Sequence, residues 1–353
     1  MTNKSLILIP LILLFLGACA TSSVPMRILV PADISIDKSI THVGVINRTI
    51  PHKKRKIANI LEGFITGEQI FADREGADNC IDGLIEQLSQ SPRFTAVQIR
   101  RTGLRGTGTR RFPRQLDWDR VRRICDKFRV DALIVLETFD SDIHFDIDKE
   151  LVTKKIKLKG SDKKKKVKVP EYTAELYIDV NSGWRIYDPV NSRIIDMNVY
   201  TDRKAWESVG KTRADTLEDL PTKREAINLS GYHSGIQYAI RISPTWIHIH
   251  RDFYVKGDPK LEEAKRLVRS DDWDAAIKIW KSMLDHPDNK IAGRACYNLA
   301  FANELKGRFE AAYHWAKRAW TEFGNKKARN YMGKIQTRII DKKRLKDQLD
   351  TED

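Results

Sequence analysis

Several groups of residues have types and spacings that could do chemistry. Asp140, Asp142, Asp146 and Asp148, with His144 among them, alternate with Phe139, Ile143, Phe145 and Ile147, which puts the polar set on one side of a half-buried strand. Such a row could hold calcium, or serve an enzyme acting on cell-wall or glycan material. The first use lacks the glycine-containing loop of known calcium cages, and the second requires a cleft that raises a carboxylate pKa. Pairing with cationic side chains on neighbouring strands accounts for the row equally well. His248 and His250 project to one side of a strand as two metal ligands would, with no third ligand nearby in sequence. The run Gly103-Leu-Arg-Gly106-Thr-Gly108 has glycines that could cradle a phosphate, but lacks the Lys-Ser/Thr of a P-loop. Gly231-Tyr-His-Ser-Gly235 has the ingredients of a nucleophile elbow in the wrong order. No cofactor, metal site or catalytic set emerges from these groups.

The residue with the clearest chemical role is Cys19. A short segment carrying Lys4 leads into the apolar stretch Leu6 to Leu16, which is a secretory h-region and falls well short of the about 20 apolar residues a membrane span needs. Leu16-Gly-Ala-Cys19 closes it and resembles the bacterial lipobox, in which cleavage occurs before a cysteine whose thiol carries diacylglycerol. Residues 1–18 are therefore expected to be a lipoprotein signal peptide and 19–26 a lipidated polar tether. Ala20 in place of Asp favours the outer membrane, and the absence of an acidic cluster after Cys19 favours its periplasmic face, with the cell surface as the other option.

The chain of 353 residues carries a formal charge of +15, and its 41% hydrophobic content with eight tryptophans describes a packed protein of two domains. An exported protein rarely meets nucleic acid, so the positive charge points to anionic lipid or cell-wall polymer. With Cys19 lipidated, Cys80, Cys125 and Cys296 remain, far apart and without a CxxC. They read as core residues, neither a disulfide framework nor a zinc site.

Among the elements that carry these residues, Val43 to Asn47 is a buried strand, and Ala77, Cys80, Ile81, Leu84, Ile85 and Leu88 form one face of a helix stopped by Ser91-Pro92. Phe94 to Ile99 is a strand, Trp118 to Phe128 a helix with Asp117 as N-cap, and Ala132 to Leu136 a third strand. Strands at 139–148, 172–180 continuing into 184–188, and 194–200 finish the sheet as three antiparallel strands, and a helix from about Lys223 to Ile240 with a segment around Trp246 to Tyr254 closes the domain at 27–255. Between the meander strands, the segment Lys154 to Lys168 is a protruding basic hairpin. Its lysines, Lys163, Lys164, Lys165 and Lys166 foremost, would contact an anionic surface at about 1 kcal/mol each.

From Leu261 the sequence turns helical and repeats at an offset of 36, with Trp273, Ala276 and Trp280 answered by Phe309, Ala312 and Ala316, and Leu261 by Tyr297. The repeat resembles tetratricopeptide repeats, with Gly307 at a turn and Ala328 to Leu345 as a capping helix. Arg294 and Asn298, one turn apart, fall on the face that lines the concave groove of such arrays, where they would hold a peptide carboxylate and main chain. The fold expected is α+β: a mixed α/β sheet domain, then all-α tetratricopeptide-like hairpins over 256–353.

The element order and the run Trp184-Arg-Ile-Tyr-Asp-Pro-Val-Asn-Ser-Arg-Ile-Ile195 resemble the α/β domain of curli-secretion-type lipoproteins. Taken with Leu16-Gly-Ala-Cys19 and Arg294-Ala-Cys-Tyr-Asn-Leu-Ala300, they resemble a lipoprotein family of Bacteroidota. The resemblance implies an architecture and an address, and no chemistry. The function expected is a non-catalytic, membrane-anchored scaffold or adaptor that holds a protein partner of the cell envelope through its helical repeats. A cell-wall or glycan-active enzyme and a ring-forming assembly lipoprotein are the alternatives, and oligomeric state is left open.

Overall fold

The computed structural model describes residues 20–50, 67–157 and 164–349. Cys19, the segment 1–18 and Lys163 lie outside them. The protein is α+β and divides into two compact units. One comprises 29–246 with the C-terminal stretch from Arg344, the other 247–343 with the N-terminal stretch up to Ile28.

The first unit is built on a five-stranded sheet. Its strands are β2 (His42–Asn47), β3 (Thr95–Gln98), β4 (Ala132–Lys157), β5 (Lys164–Asp188) and β6 (Arg193–Gly210), in the order β3-β2-β4-β5-β6. β2 pairs parallel with both β3 and β4, while β4, β5 and β6 run antiparallel. β2 is buried on both faces, as its unbroken apolar run requires of a parallel central strand. Helix α1 (Gly67–Ser89) and the later α4 (Lys223–Ile242) cover one face, where Cys80, Leu84, Leu88, Trp184 and Tyr238 share a core. The Trp184 and Tyr238 rings stack there at 4.6 Å and 7°. Helix α2 (Trp118–Phe128) covers the other face with Val121 and Cys125 against Leu133, Val135 and Tyr187. Asp117 caps it by accepting from Asp119 N and Arg120 N, and Arg129, left-handed at φ 54°, ends it. A short α3 (Arg213–Glu218) precedes α4, whose first turn is closed by a Thr222–Glu225 capping box.

The sequence treats 132–136, 139–148 and the lysine hairpin as separate pieces. They are one 26-residue strand, β4, with a register shift between Leu136 and Thr138. The bulge at Glu137 resets the parity, so a run that alternates one way before it and the other way after it still presents one continuous core face. β5–β6 pairing stops at Tyr172↔Gly210, whereas β4–β5 pairing continues to Lys157↔Lys164. The outer arm is thus a two-stranded ribbon on the order of 26 Å long at about 3.3 Å per residue.

In the second unit, β1 (Thr21–Val30) forms a two-stranded sheet with β7 (Thr245–Tyr254). Residues 21–26 are therefore strand, not the loose tether their polarity suggests. The backbone pairing, continued by Val255 N to Ala20 O at 3.0 Å, stabilises them where side chains would not. The rest is helical: α5 (Pro259–Arg269), α6 (Trp273–Ser282), α7 (Asn289–Leu305), α8 (Phe309–Thr321) and α9 (Lys326–Gln348). Asp258, Asp272 and Asp288 cap α5, α6 and α7. Ala276, Ala312 and Ala316 are fully buried in one core with Trp280, Leu299 and Phe301. Gly307, at φ 69°, makes the α7–α8 turn, a conformation that favours glycine. Against the expected boundary at 255, residues from Ile247 belong with the helices, because β7 pairs with β1. Those from Arg344 belong with the sheet unit, where the Gln348 amide bonds both the N–H and C=O of Ala32 at 2.9 and 3.0 Å.

Candidate functional site

The acidic row lies on the face of β4 opposite the α1/α4 core. Arg110 reaches over from the preceding loop to bond Asp140 at 2.5 Å and also Asp142. On neighbouring strands Arg203 holds Asp179 through two bonds of 2.6 and 2.7 Å, keeping its carboxyl below the usual range. Its guanidinium sits 4.4 Å above the Tyr177 ring, on which His144 stacks at 4.6 Å. Asp146 and Asp148 are exposed. The row is an ion-paired sheet surface, not the cleft an enzyme would require of it. One carboxylate near it differs: half-buried Asp73 of α1, whose pKa burial pushes to about 7, with Asp140 and Asp142 adding to the shift and the Ser141 hydroxyl opposing it. Ser141 donates to Asp73 at 2.5 Å.

In α/β sheets ligands bind beyond the carboxyl ends of parallel strands, where successive crossovers diverge. Here that point lies between β2 and β4, and the glycine-rich loop occupies it. Gly106 N donates to Ile50 O at 2.9 Å, and a Cβ at Gly106 would lie 3.1 Å from Glu137 O and closer to Arg48 O. Beneath the loop, fully buried Glu137 is bonded by Arg48 at 3.0 Å, Tyr187 OH at 2.6 Å and Arg185 at 3.4 Å. Arg48 and Arg185 in turn donate to the carbonyls of Arg105 and Pro113. Burial, followed by Glu137, raises Tyr187 to about 12. Gly106 thus seats the loop on the strand ends, while Gly103, at φ 67°, has open space around it. Beside it, a cavity of about 320 Å³ is lined by Asn47, Asp78, Asp82, Gln98, Arg100 and Thr102, among others. Its polar groups bond one another, Asn47 to Asp78 at 2.8 Å and Arg100 to Gln98 at 2.9 Å. A second cavity, of about 420 Å³, lies at the opposite strand ends. Asp131 and Asp188 there accept backbone N–H bonds from Thr41, His42, Val190 and Asn191, so these carboxylates hold turns together.

Gly231 and Gly235 have a structural use the elbow reading missed: α4 crosses α1 backbone to backbone. A Cβ on Gly231 would lie 3.0 Å from the Gly76 carbonyl carbon, and one on Gly83 would lie 2.9 Å from that of Tyr232. Ser234, fully buried, bonds Ser182 at 2.7 Å, which accepts from Trp184 Nε1 at 3.0 Å. The spacing of four between the glycines was the available signal. His233 bonds Asp202 at 2.6 Å and Gln237 at 3.3 Å. His248 and His250 are exposed on β7, and among the described residues no group of three His, Cys, Asp or Glu is placed to hold a metal. Cys80, Cys125 and Cys296 are free and buried. Burial raises all three thiols, Cys125 to about 12 and Cys296 to about 11.

Arg294 and Asn298 do lie one turn apart on α7, and they do read a main chain, but it is the protein's own. Asn298, fully buried, accepts from Tyr254 N at 2.7 Å and donates to Tyr254 O at 2.8 Å. Arg294 donates to Lys256 O at 2.6 Å and lies 5.2 Å from the Tyr254 ring centroid. The end of β7 fills the position expected for a peptide, which corrects that reading. Nearby, fully buried Glu304 is held by Arg251 through bonds of 3.0 Å and by Tyr331 OH, so β7 is tied to α7 and α9.

A cluster of aromatic and cationic side chains lies on α8 and the turn after it, partly buried against the helical core. Tyr313, Trp315, Trp320 and Phe323 are half-buried. Arg318 lies between Trp315 and Phe323, at 5.6 and 6.0 Å from their centroids, and Arg329 lies 5.6 Å from that of Trp320. Lys164, Lys165 and Lys166 are exposed at the start of β5, where strand alternation sends Lys165 to the face opposite its neighbours. Among the described residues no helix is long and apolar enough to cross a membrane.

Residues 40–254 match the family model of a domain of unknown function, DUF8603, and residues 262–337 that of a second, DUF6340. No curated protein matches the chain. A crystal structure described as a neuraminyllactose-binding hemagglutinin homolog from Helicobacter pylori aligns at 13% identity and a TM-score of 0.22, over 67% of this chain and 93% of that one.

Proposed function

The chain belongs to the family of the DUF8603 domain, and from that premise we propose that it is a non-catalytic scaffold of the cell envelope, lipid-anchored at Cys19 to the periplasmic face of the outer membrane, which holds a protein partner through its helical unit. The observation that carries this reading is the surface of α8. Tyr313, Trp315 and Trp320 pack partly buried against the helical core, with Arg318 beside Trp315 and Arg329 beside Trp320. Tryptophan, tyrosine and arginine are the residue types enriched where protein interfaces draw their binding energy. Two hairpins at an offset of 36, α5–α6 and α7–α8, support a tetratricopeptide-like reading of this unit. With the Arg294–Asn298 position filled by β7, the partner is assigned to the outer α8 surface and not to the inner groove. The anchor is supported by the apolar stretch ending in Leu16-Gly-Ala-Cys19.

The test is co-purification from detergent-solubilised native membranes with the parent chain and a Trp315→Ala/Trp320→Ala variant at matched abundance. A protein recovered in near-stoichiometric amount with the parent and lost with the variant is expected. Identical recoveries from both would remove the α8 assignment.

A further inference from the structure

The β4–β5 arm carries a charge pattern that its own folding does not require. Its register sets Lys149 opposite Tyr172, Thr153 opposite Lys168, Lys155 opposite Lys166, and Lys157 opposite Lys164. Directly opposed residues share a face, and alternate residues return to it. Lys149, Lys155, Lys157, Lys164, Lys166 and Lys168 therefore lie together on one side of the ribbon. The other side carries Val152 opposite Val169, Lys154 opposite Val167 and Ile156 opposite Lys165, with Lys154 ion-paired to Glu171. The run that looks continuous in sequence is thus divided, and the basic face is assembled from both strands.

Like charges set directly across a ladder destabilise it, and a two-stranded ribbon has little stability to spare. Guarding an open edge takes isolated lysines, not lysines opposed in pairs. The pattern is compensated when the face meets an anion. The shape of that anion follows from the geometry. The face is a strip two strands wide, with neighbouring charges about 5 Å apart across the ladder and about 7 Å apart along it. Its one ring among the described residues, Tyr172, lies at the base, 5.5 Å from Lys149. Every cation is lysine, a point charge without the planar fork that reads single phosphates or carboxylates. Point charges spread over both strands complement an extended surface of diffuse negative charge. We propose that the lysine face of this arm docks on an anionic lipid headgroup surface. This goes beyond the partner-holding role of α8 and does not depend on the anchor at Cys19.

The experiment uses the full chain carrying Cys19→Ala, which has no lipid to anchor it, with vesicles of phosphatidylcholine alone or with about one third phosphatidylglycerol. The expected result is binding to the anionic vesicles only, weakening as salt is added. Each lysine near such a surface is worth about fivefold in partitioning. Lys155→Gln/Lys166→Gln/Lys168→Gln in the same background should bind on the order of 100-fold more weakly, while the corresponding triple Lys→Arg variant binds like the parent. Equal binding to neutral vesicles, or undiminished binding of the Gln variant, overturns the proposal. Capture of polyphosphate with no binding to either vesicle also overturns it, and assigns the face to a soluble polymer. A chain that binds anionic vesicles here but is not lipidated in cells would refute the anchor and leave the arm's role standing.

Discussion

Gly235→Ala should destabilise the sheet unit, although at most helical positions the same change stabilises. Alanine is favoured over glycine inside a helix by about 1 kcal/mol. At Gly235 the added methyl would lie 2.8 Å from Leu84 N and closer still to the Cys80 carbonyl oxygen. Both obstacles are backbone of α1, so no side chain can rotate aside, and α4 must move off α1, drawing Tyr238 away from Trp184. Overpacking of this kind costs up to about 3 kcal/mol. Set against the propensity gain, the net loss is about 2 kcal/mol, or roughly 4–8 °C in Tm for a unit of this size. Gly333→Ala is the control. Gly333 lies inside α9 with nothing within 4 Å of its added Cβ, so it should gain about 1 kcal/mol, roughly 4 °C or more for the smaller helical unit. Calorimetry on both variants decides the matter. If Gly235→Ala melts at or above the parent temperature, the backbone-to-backbone crossing is wrong.

Asn298→Leu leaves the N–H and C=O of Tyr254 without their buried partner, each costing about 1–3 kcal/mol, so a denaturant titration should show the helical unit losing about 3 kcal/mol. An unchanged midpoint would mean that β7 is not held there. Asp73 gives a pH signature of definite sign. Because burial raises its folded pKa to about 7, the folded state takes up a proton that the unfolded state, at about 4, does not. Stability therefore falls as pH rises from about 4 to about 7. Asp73→Asn should exceed the parent in stability at about pH 8 and match it near pH 4, and parallel curves would dismiss the shift. Cys19→Ala should move the protein from the membrane to the soluble fraction, and retention on membranes in high salt would count against a lipid anchor.

Much of the fold was legible because local rules agree with it. The 3.6-residue spacing of Ala77, Cys80, Leu84 and Leu88 gave α1, Asp117 gave the start of α2, and the repeat offset gave the helical hairpins. Element joins were harder to read. The bulge at Glu137 reverses the inside–outside parity of β4, so periodicity on its own breaks that strand in two there. β1 owes its pairing to a strand more than 200 residues away, and nothing in its own sequence announces that contact. The candidate sites illustrate a different limit. Gly103 to Gly108 reads as a phosphate cradle, Gly231 to Gly235 as a misordered nucleophile elbow, and Arg294 with Asn298 as a peptide site, whereas Gly106, Gly231, Gly235 and Asn298 each meet a backbone closely. The sequence did not show that the approaching backbone is the protein's own. The α8 surface went unnoticed because half-exposed and buried aromatic residues share the same helical spacing.

The claim that α8 holds a partner is tested most directly by placing a photo-crosslinking amino acid at position 315 of the anchored protein in its native cells, with position 146 on the exposed acidic row as control. One discrete adduct with an envelope protein from 315 and none from 146 is the predicted result. No adduct from 315, or the same adducts from both positions, would contradict it.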